Sequence, residues 1–97
     1  MNASIDYEDK NVLGWGNRGW LDIVDFILEV CENGSLKTHI TYKCNLNSKQ
    51  VERYIQFLLD CRLVETIQSS SNRTIYKTTE PGKKYIGRYK DLAGLFN

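Results

Sequence analysis

Side chains suited to holding a nucleic acid crowd onto the stretch Asn47 to Leu63. Ser48, Lys49, Gln50, Glu52, Arg53 and Gln56 lie away from its apolar positions, and two of them are cations near the start. Arginine can pair with guanine and glutamine with adenine in a major groove, so Ser48, Lys49, Gln50 and Arg53 are the candidate base-edge contacts. Lys37, Lys43, Arg73 and Lys77 flank this stretch and are the candidate phosphate holders. Catalysis finds no comparable set. The single histidine is His39, and no Cys or Ser falls at a spacing that makes a dyad with it. Cys31, Cys44 and Cys61 lack the Cys-x-x-Cys or His-x-x-x-His pairing of a zinc site. Gly14-Trp15-Gly16 has neither the apolar strand nor the Lys-Ser/Thr of a phosphate loop. The chain therefore reads as a non-enzyme without a cofactor, metal or evident small-molecule ligand.

The polar set needs a helix to position it, and that helix announces itself. Asn47 is a good N-cap, Gln50 completes a capping box, and Val51, Tyr54, Ile55, Leu58 and Leu59 recur at three-and-four spacing. Before it, Lys37 to Cys44 reads as a short helix with Leu36, Ile40 and Cys44 on its buried side, and Asn45-Leu46-Asn47 as a turn. A short helix, a tight turn and a capped longer helix make a helix-turn-helix, with residues 47–62 as the recognition helix. The bland alternative, a solvated amphipathic face, is weakened by this order of elements.

A first helix of about 12–14 residues from Gly19 supplies the lid. Trp20, Ile23, Val24, Ile27, Val30 and Cys31 form its apolar stripe, and Asp22, Asp25, Glu29 and Glu32 an acidic one, expected to face water. Asn33-Gly34 ends it, and Ser35-Leu36 can add one or two ladder bonds to a later sheet. Leu63–Ile67 and Thr74–Thr79 alternate around the polar loop Gln68–Arg73, a β-hairpin whose residues 68–77 would be a wing. Thr79-Glu80-Pro81 starts a last helix, in which Tyr85, Ile86, Tyr89, Leu92, Ala93 and Phe96 form a wide apolar stripe. Part of that stripe is expected to meet a second copy. The domains are then an irregular arm (1–18), a winged helix-turn-helix (19–79) and a C-terminal helix (80–97). Trp15 in the arm is expected to pack back onto the domain.

Ninety-seven residues, 41% of them apolar, suit one modest core. The net charge of +1 conceals a polarised chain. Residues 1–34 hold two Lys/Arg against seven Asp/Glu, net −5, whereas residues 35–90 hold eleven against four, net +7. A basic segment coinciding with the helix-turn-helix and wing is the pattern of a domain that presents a face to phosphate. No apolar run approaches the ~20 residues of a membrane span, and the expected location is cytoplasmic, at the nucleoid. The three cysteines all fall in phase with apolar helical faces and are expected to be core thiols.

The run Ile40-Thr41-Tyr42-Lys43-Cys44-Asn45-Leu46, with Gln50, Tyr54, Leu58 and Leu59, then Leu63-Val64-Glu65, then Tyr76-Lys77-Thr78-Thr79-Glu80-Pro81-Gly82, resembles archaeal winged-helix proteins. The nearest type is the small Sulfolobus chromatin-associated one that dimerises through a C-terminal helix. The resemblance runs from about Trp20 to Tyr89. It implies an α+β fold of three helices, a two-stranded wing and an additional C-terminal dimerisation helix, together with double-stranded DNA binding as a homodimer. Such a protein would be a transcriptional regulator or a nucleoid-associated protein; a protein-docking module without DNA binding is the alternative. Two departures bear on structure. Arg62 stands where the family usually has Gly between recognition helix and wing, and the last helix is too short for the relatives' full coiled coil.

Overall fold

Apolar residues at helical spacing decide which faces meet. The computed structural model describes residues 19–96; the expected arm and Trp15 lie outside them. In chain order the elements are α1 (Trp20–Val30), α2 (Lys37–Cys44), α3 (Ser48–Asp60), β1 (Val64–Gln68), β2 (Thr74–Thr78) and α4 (Glu80–Gly94). Val24, Ile27 and Leu28 of α1 meet Ile40 and Cys44 of α2 and Val51 and Leu58 of α3 in a core without solvent exposure, and Ile55, Val64 and Ile86 close it. Each such side chain contributes about 1.5–3 kcal/mol by leaving water.

Local chemistry sets the ends. At α3 the backbone N–H of Gln50 donates to Asn47 Oδ1 at 2.8 Å while Gln50 Oε1 accepts from the Asn47 N–H at 3.0 Å, the expected capping box. Asn45 takes the left-handed conformation (φ 54°) at the end of α2 and turns the chain toward α3. Arg62 does the same after α3 with φ 60°. There the Leu63 N–H bonds Leu58 O at 2.9 Å and the Arg62 N–H bonds Leu59 O at 3.0 Å, a Schellman closure made without glycine.

β1 and β2 are antiparallel, with Val64 opposite Thr78 and Gln68 opposite Thr74. Ser35 joins as an isolated bridge, exchanging two hydrogen bonds of 2.9 and 2.8 Å with Tyr76, as the two-residue extension suggested. The buried Thr78 hydroxyl donates to Leu28 O at 2.6 Å and ties the sheet to α1. At the start of α4, Thr79 Oγ1 accepts from the Gly82 N–H and donates to Arg62 O at 2.7 Å. Gly82 is there for space. A Cβ on it would lie 2.3 Å from Leu63 O and 2.6 Å from Thr78 Cγ2.

Several expectations fail, each for a traceable reason. Cys61 is exposed, because α3 has already ended and its cap turns outward; Cys31 and Cys44 are buried. Trp20 is 48% exposed, since it stands at the first turn of α1 and packs only against the rings of Phe57, edge to face, and Tyr54, tilted. Three acids of the α1 stripe, Asp22, Asp25 and Glu29, face α4 and not water, while Glu32, past the end of the helix, is exposed. Tyr89 donates to Asp22, Lys90 to Glu29 at 2.8 Å, Tyr85 to Leu21 O at 3.0 Å, and Asp25 is only 7% exposed.

Candidate nucleic-acid interface

With Val51, Ile55 and Leu58 buried, the opposite side of α3 is a ridge of Lys49, Arg53, Gln56 and Asp60 at three-and-four spacing. Lys49 and Arg53 are exposed, one turn apart, and make no ion pair with a carboxylate among the described residues. Gln56 is tied to Asp60 at 2.9 Å.

The remaining predicted contacts divide. Gln50 keeps Oε1 on the helix cap, and a bidentate adenine contact needs both its oxygen and its nitrogen. It also sits on a flank, beside a hollow of about 210 Å³ shared with Trp20, Arg53, Tyr54 and Phe57. Its visible role is structural. Lys37 bridges to Glu52 at 2.8 Å and, with a smaller effect from Lys49, holds that carboxyl below its ordinary range. Lys37 therefore neutralises the one acid in the first turns of α3.

Lys43 faces the far flank of α2, in a hollow with Val30, Ser35 and His39, and is not brought beside Lys37 or Ser48. Ser48 instead lines a cleft of about 530 Å³ with Lys37, Thr38, Thr41, Tyr42, Asn45 and Leu46. In the wing, Arg73 is exposed at the base of a loop closed by Ser69 N–H to Arg73 O at 2.9 Å and Arg73 N–H to Ser69 Oγ at 3.1 Å. Asn72 makes the left-handed turn (φ 63°). Lys77 is half-buried on β2, directly across from Glu65, and so stands away from the loop tip.

The stripe on α4 also divides. Ile86 is in the domain's own core, and Tyr85 and Tyr89 stack 6.4 Å apart with their hydroxyls on α1. These residues face inward because α1 reaches them first. Leu92, Ala93 and Phe96 remain, forming with Trp20, Leu21 and Tyr89 an apolar groove of about 500 Å³. Leu92 is 52% and Phe96 82% exposed.

Between the helices Asp25 is the outlying group. Burial, then its bond with Glu29, pushes its pKa up to about 7, while Lys90 holds Glu29 below its ordinary range. Asp25 Oδ1 has no hydrogen-bond partner. Sequence reasoning did not assign Asp25, Tyr42 or Phe57. A signal existed for the first: the acidic period of α1 matches the Tyr and Lys positions of α4. Among the described residues no cluster of His, Cys, Asp and Glu could hold a metal, and no helix is long and apolar enough to cross a membrane.

Three helices, the third a capped recognition-type helix, a hairpin after it and a fourth helix closing the core define a class. The chain belongs to the winged helix-turn-helix family, whose profile matches residues 17–96. Among solved structures it is similar to Sso10a-2, a DNA-binding protein from Sulfolobus solfataricus, at 24% identity and a TM-score of 0.73, over 80% of this chain and 81% of that one. It is also similar to NMB1585, a MarR family regulator from Neisseria meningitidis, at 18% identity and a TM-score of 0.60. That match covers 84% of this chain and 58% of the regulator. No curated protein matches.

Proposed function

We propose that this protein binds double-stranded DNA through α3 and the wing, as a homodimeric regulator or nucleoid-associated protein. The observation that carries the reading is the pair Lys49 and Arg53, solvent-facing on the outward ridge of α3 while Lys37, Lys83 and Lys90 are spent on carboxylates. Arg73 at the wing adds a third cation, and Lys37 contributes by cancelling Glu52. The DNA-binding protein and the regulator of similar fold support the assignment.

The second copy would cover the groove at the end of α4. Trp20, Leu21, Leu92 and Phe96 of this groove leave on the order of 450 Å² in water, taking about 200 Å² for a large exposed side chain, over half of the ~800 Å² each partner gives to a stable interface. Replacing Phe96 and Leu92 by Glu should make the protein monomeric in sedimentation equilibrium; an unchanged dimer would place the interface elsewhere.

The DNA test is fluorescence anisotropy with random-sequence duplex across a salt series. Three free cations give a log–log slope near −3 per protomer, and Lys49→Ala and Arg53→Ala should each lower it by about 0.9. No binding at low salt would turn the reading toward a protein-docking module.

A further inference from the structure

The two halves of α4 are held by different chemistry. Its inner half is pinned by the Thr79 cap, by Gly82 against Leu63 and by Ile86 in the core. The outer half leaves Leu92, Leu95 and Phe96 in water and is tied to α1 through Tyr89 on Asp22 and Lys90 on Glu29. Gly87 stands between the halves. A Cβ on it would meet nothing within 4 Å, so packing does not call for glycine there, and an interior glycine weakens a helix. The ties of the outer half surround Asp25, a nearly buried carboxyl whose Oδ1 has no partner. Asp22 and Glu29 face it from its own helix, and Tyr85, Tyr89 and Lys90 from α4. No charged group of α2, α3 or the hairpin acts on it among the described residues. Asp22 and Tyr89 also wall the apolar groove at the end of α4.

We propose that Asp25 is a proton switch for the outer half of α4: protonated, it keeps Arg88 to Phe96 on α1, and ionised it lets them swing out about Gly87 and dissolve the groove. With Asp25 neutral, Lys90 has only Glu29 to balance in the seam. With Asp25 charged, a second anion stands beside Glu29 out of reach of water, and such a charge without its own partner is costly. Swinging α4 out hydrates it. The docked seam keeps the proton up to about pH 7, whereas an open one releases it near the ordinary 3.8. Opening therefore sheds one proton and grows by up to about tenfold per pH unit between roughly 4 and 7, then levels off. Glu29, lowered, and Lys90, raised, keep their charges across the upper part of that window. The inner half stays in place, because nothing that pins it titrates. The consequence for assembly rests on the homodimer reading above, since the surface for a second copy exists only while the groove does.

Amide hydrogen exchange of the full chain from pH 5 to 7.5, corrected for intrinsic rates, reads the switch whether or not the protein dimerises. Amides of the outer half of α4 should be less protected than those of α3 and insensitive to dilute urea, the mark of a local opening. Their protection should fall by up to about tenfold per pH unit as far as pH 7, and Asp25→Asn should make it flat. Gly87→Ala, whose methyl has open space, should raise the protection of the same amides about two- to fivefold and leave the slope in place. Protection independent of pH in the unmodified chain, or equal to that of α3 with the same slope, would overturn the switch. No effect of Gly87→Ala would overturn the hinge. Sedimentation equilibrium at pH 5.5 and 7.5 tests assembly: the dimer should weaken at the higher pH, and that of Asp25→Asn should not. A dimer equally tight at both would overturn the link from switch to groove. A chain monomeric at both would overturn the homodimer reading, with the switch decided by exchange alone.

Discussion

Replacing Asp25 by Asn should make the protein more stable at neutral pH and remove much of its pH dependence. In the α1–α4 seam Asp25 is nearly buried, hydrogen-bonded to Glu29, and carries an oxygen with no partner. Two carboxyls can share a hydrogen bond only if one keeps its proton. Asp25 keeps it, because burial disfavours its charge while Lys90 stabilises the charge on Glu29. The folded pKa of Asp25 is raised from 3.8 to about 7, so the folded state holds a proton that the unfolded chain releases. Its favourable contribution is complete below about pH 4 and is lost as pH rises to about 7. Glu29 has the opposite sign: its contribution is present above its ordinary range and lost in acid.

About three units at ~1.4 kcal/mol each give an upper figure of about 4 kcal/mol for the Asp25 change, reduced by any relaxation of the seam. That is large against the ~5–15 kcal/mol by which such domains are stable. An Asn amide can donate to Glu29 as the protonated acid does, and it never ionises. Urea unfolding followed by circular dichroism, at fixed protein concentration from pH 4.5 to 8, should show Asp25→Asn close to wild type at the acid end. At pH 8 it should be about 2–4 kcal/mol more stable, on the same linkage. A variant that loses stability between pH 5 and 8 as steeply as wild type would refute the buried-acid account.

Other consequences are local. Gly82→Ala pushes a Cβ into Leu63 O and Thr78 Cγ2, and should cost about 3 kcal/mol or more in urea unfolding, because backbone cannot swing aside. Arg62→Gly relieves a left-handed residue (φ 60°) worth about 1–2 kcal/mol, partly offset by the looser unfolded chain; a net gain of roughly 0.5–1 kcal/mol is expected, and Arg62→Ala should give none. Of the three thiols only Cys61 is exposed, and burial pushes the Cys31 thiol up to about 12. Native protein should therefore react with one equivalent of a thiol reagent and urea-unfolded protein with three, as counted by mass.

The sequence revealed what local chemistry enforces. The Asn47–Gln50 cap, the Asn45 turn, the hairpin and even the Ser35 bridge follow from residue type and spacing, and each appears within a residue or two of its expected place. It failed where two elements distant in the chain compete for one face. The acidic period of α1 reads as solvent-facing until α4 is laid along it, and Ile86 reads as an interface residue until α1 covers it. Gly82 is a case between. Its place in a helix-start motif was visible, but the need for no side chain there comes from Leu63, packed from another element.

The same ion pairs separate the charge polarity of this chain into two uses. Lys90 and Glu29, with the tyrosines on Asp22 and Leu21 O, consume opposite charges and donors to hold α4 against α1. Lys37 consumes Glu52 beside the candidate groove face. The +7 of residues 35–90 is therefore not a count of available phosphate contacts. What remains without a carboxylate on the outward face of α3 is Lys49 and Arg53. A weakly charged ridge of this kind needs help to hold a duplex, and a second protomer or uncharged donors are the forms of help that cost no further repulsion within the fold. The apolar end of α4 is where the proposed second copy would sit.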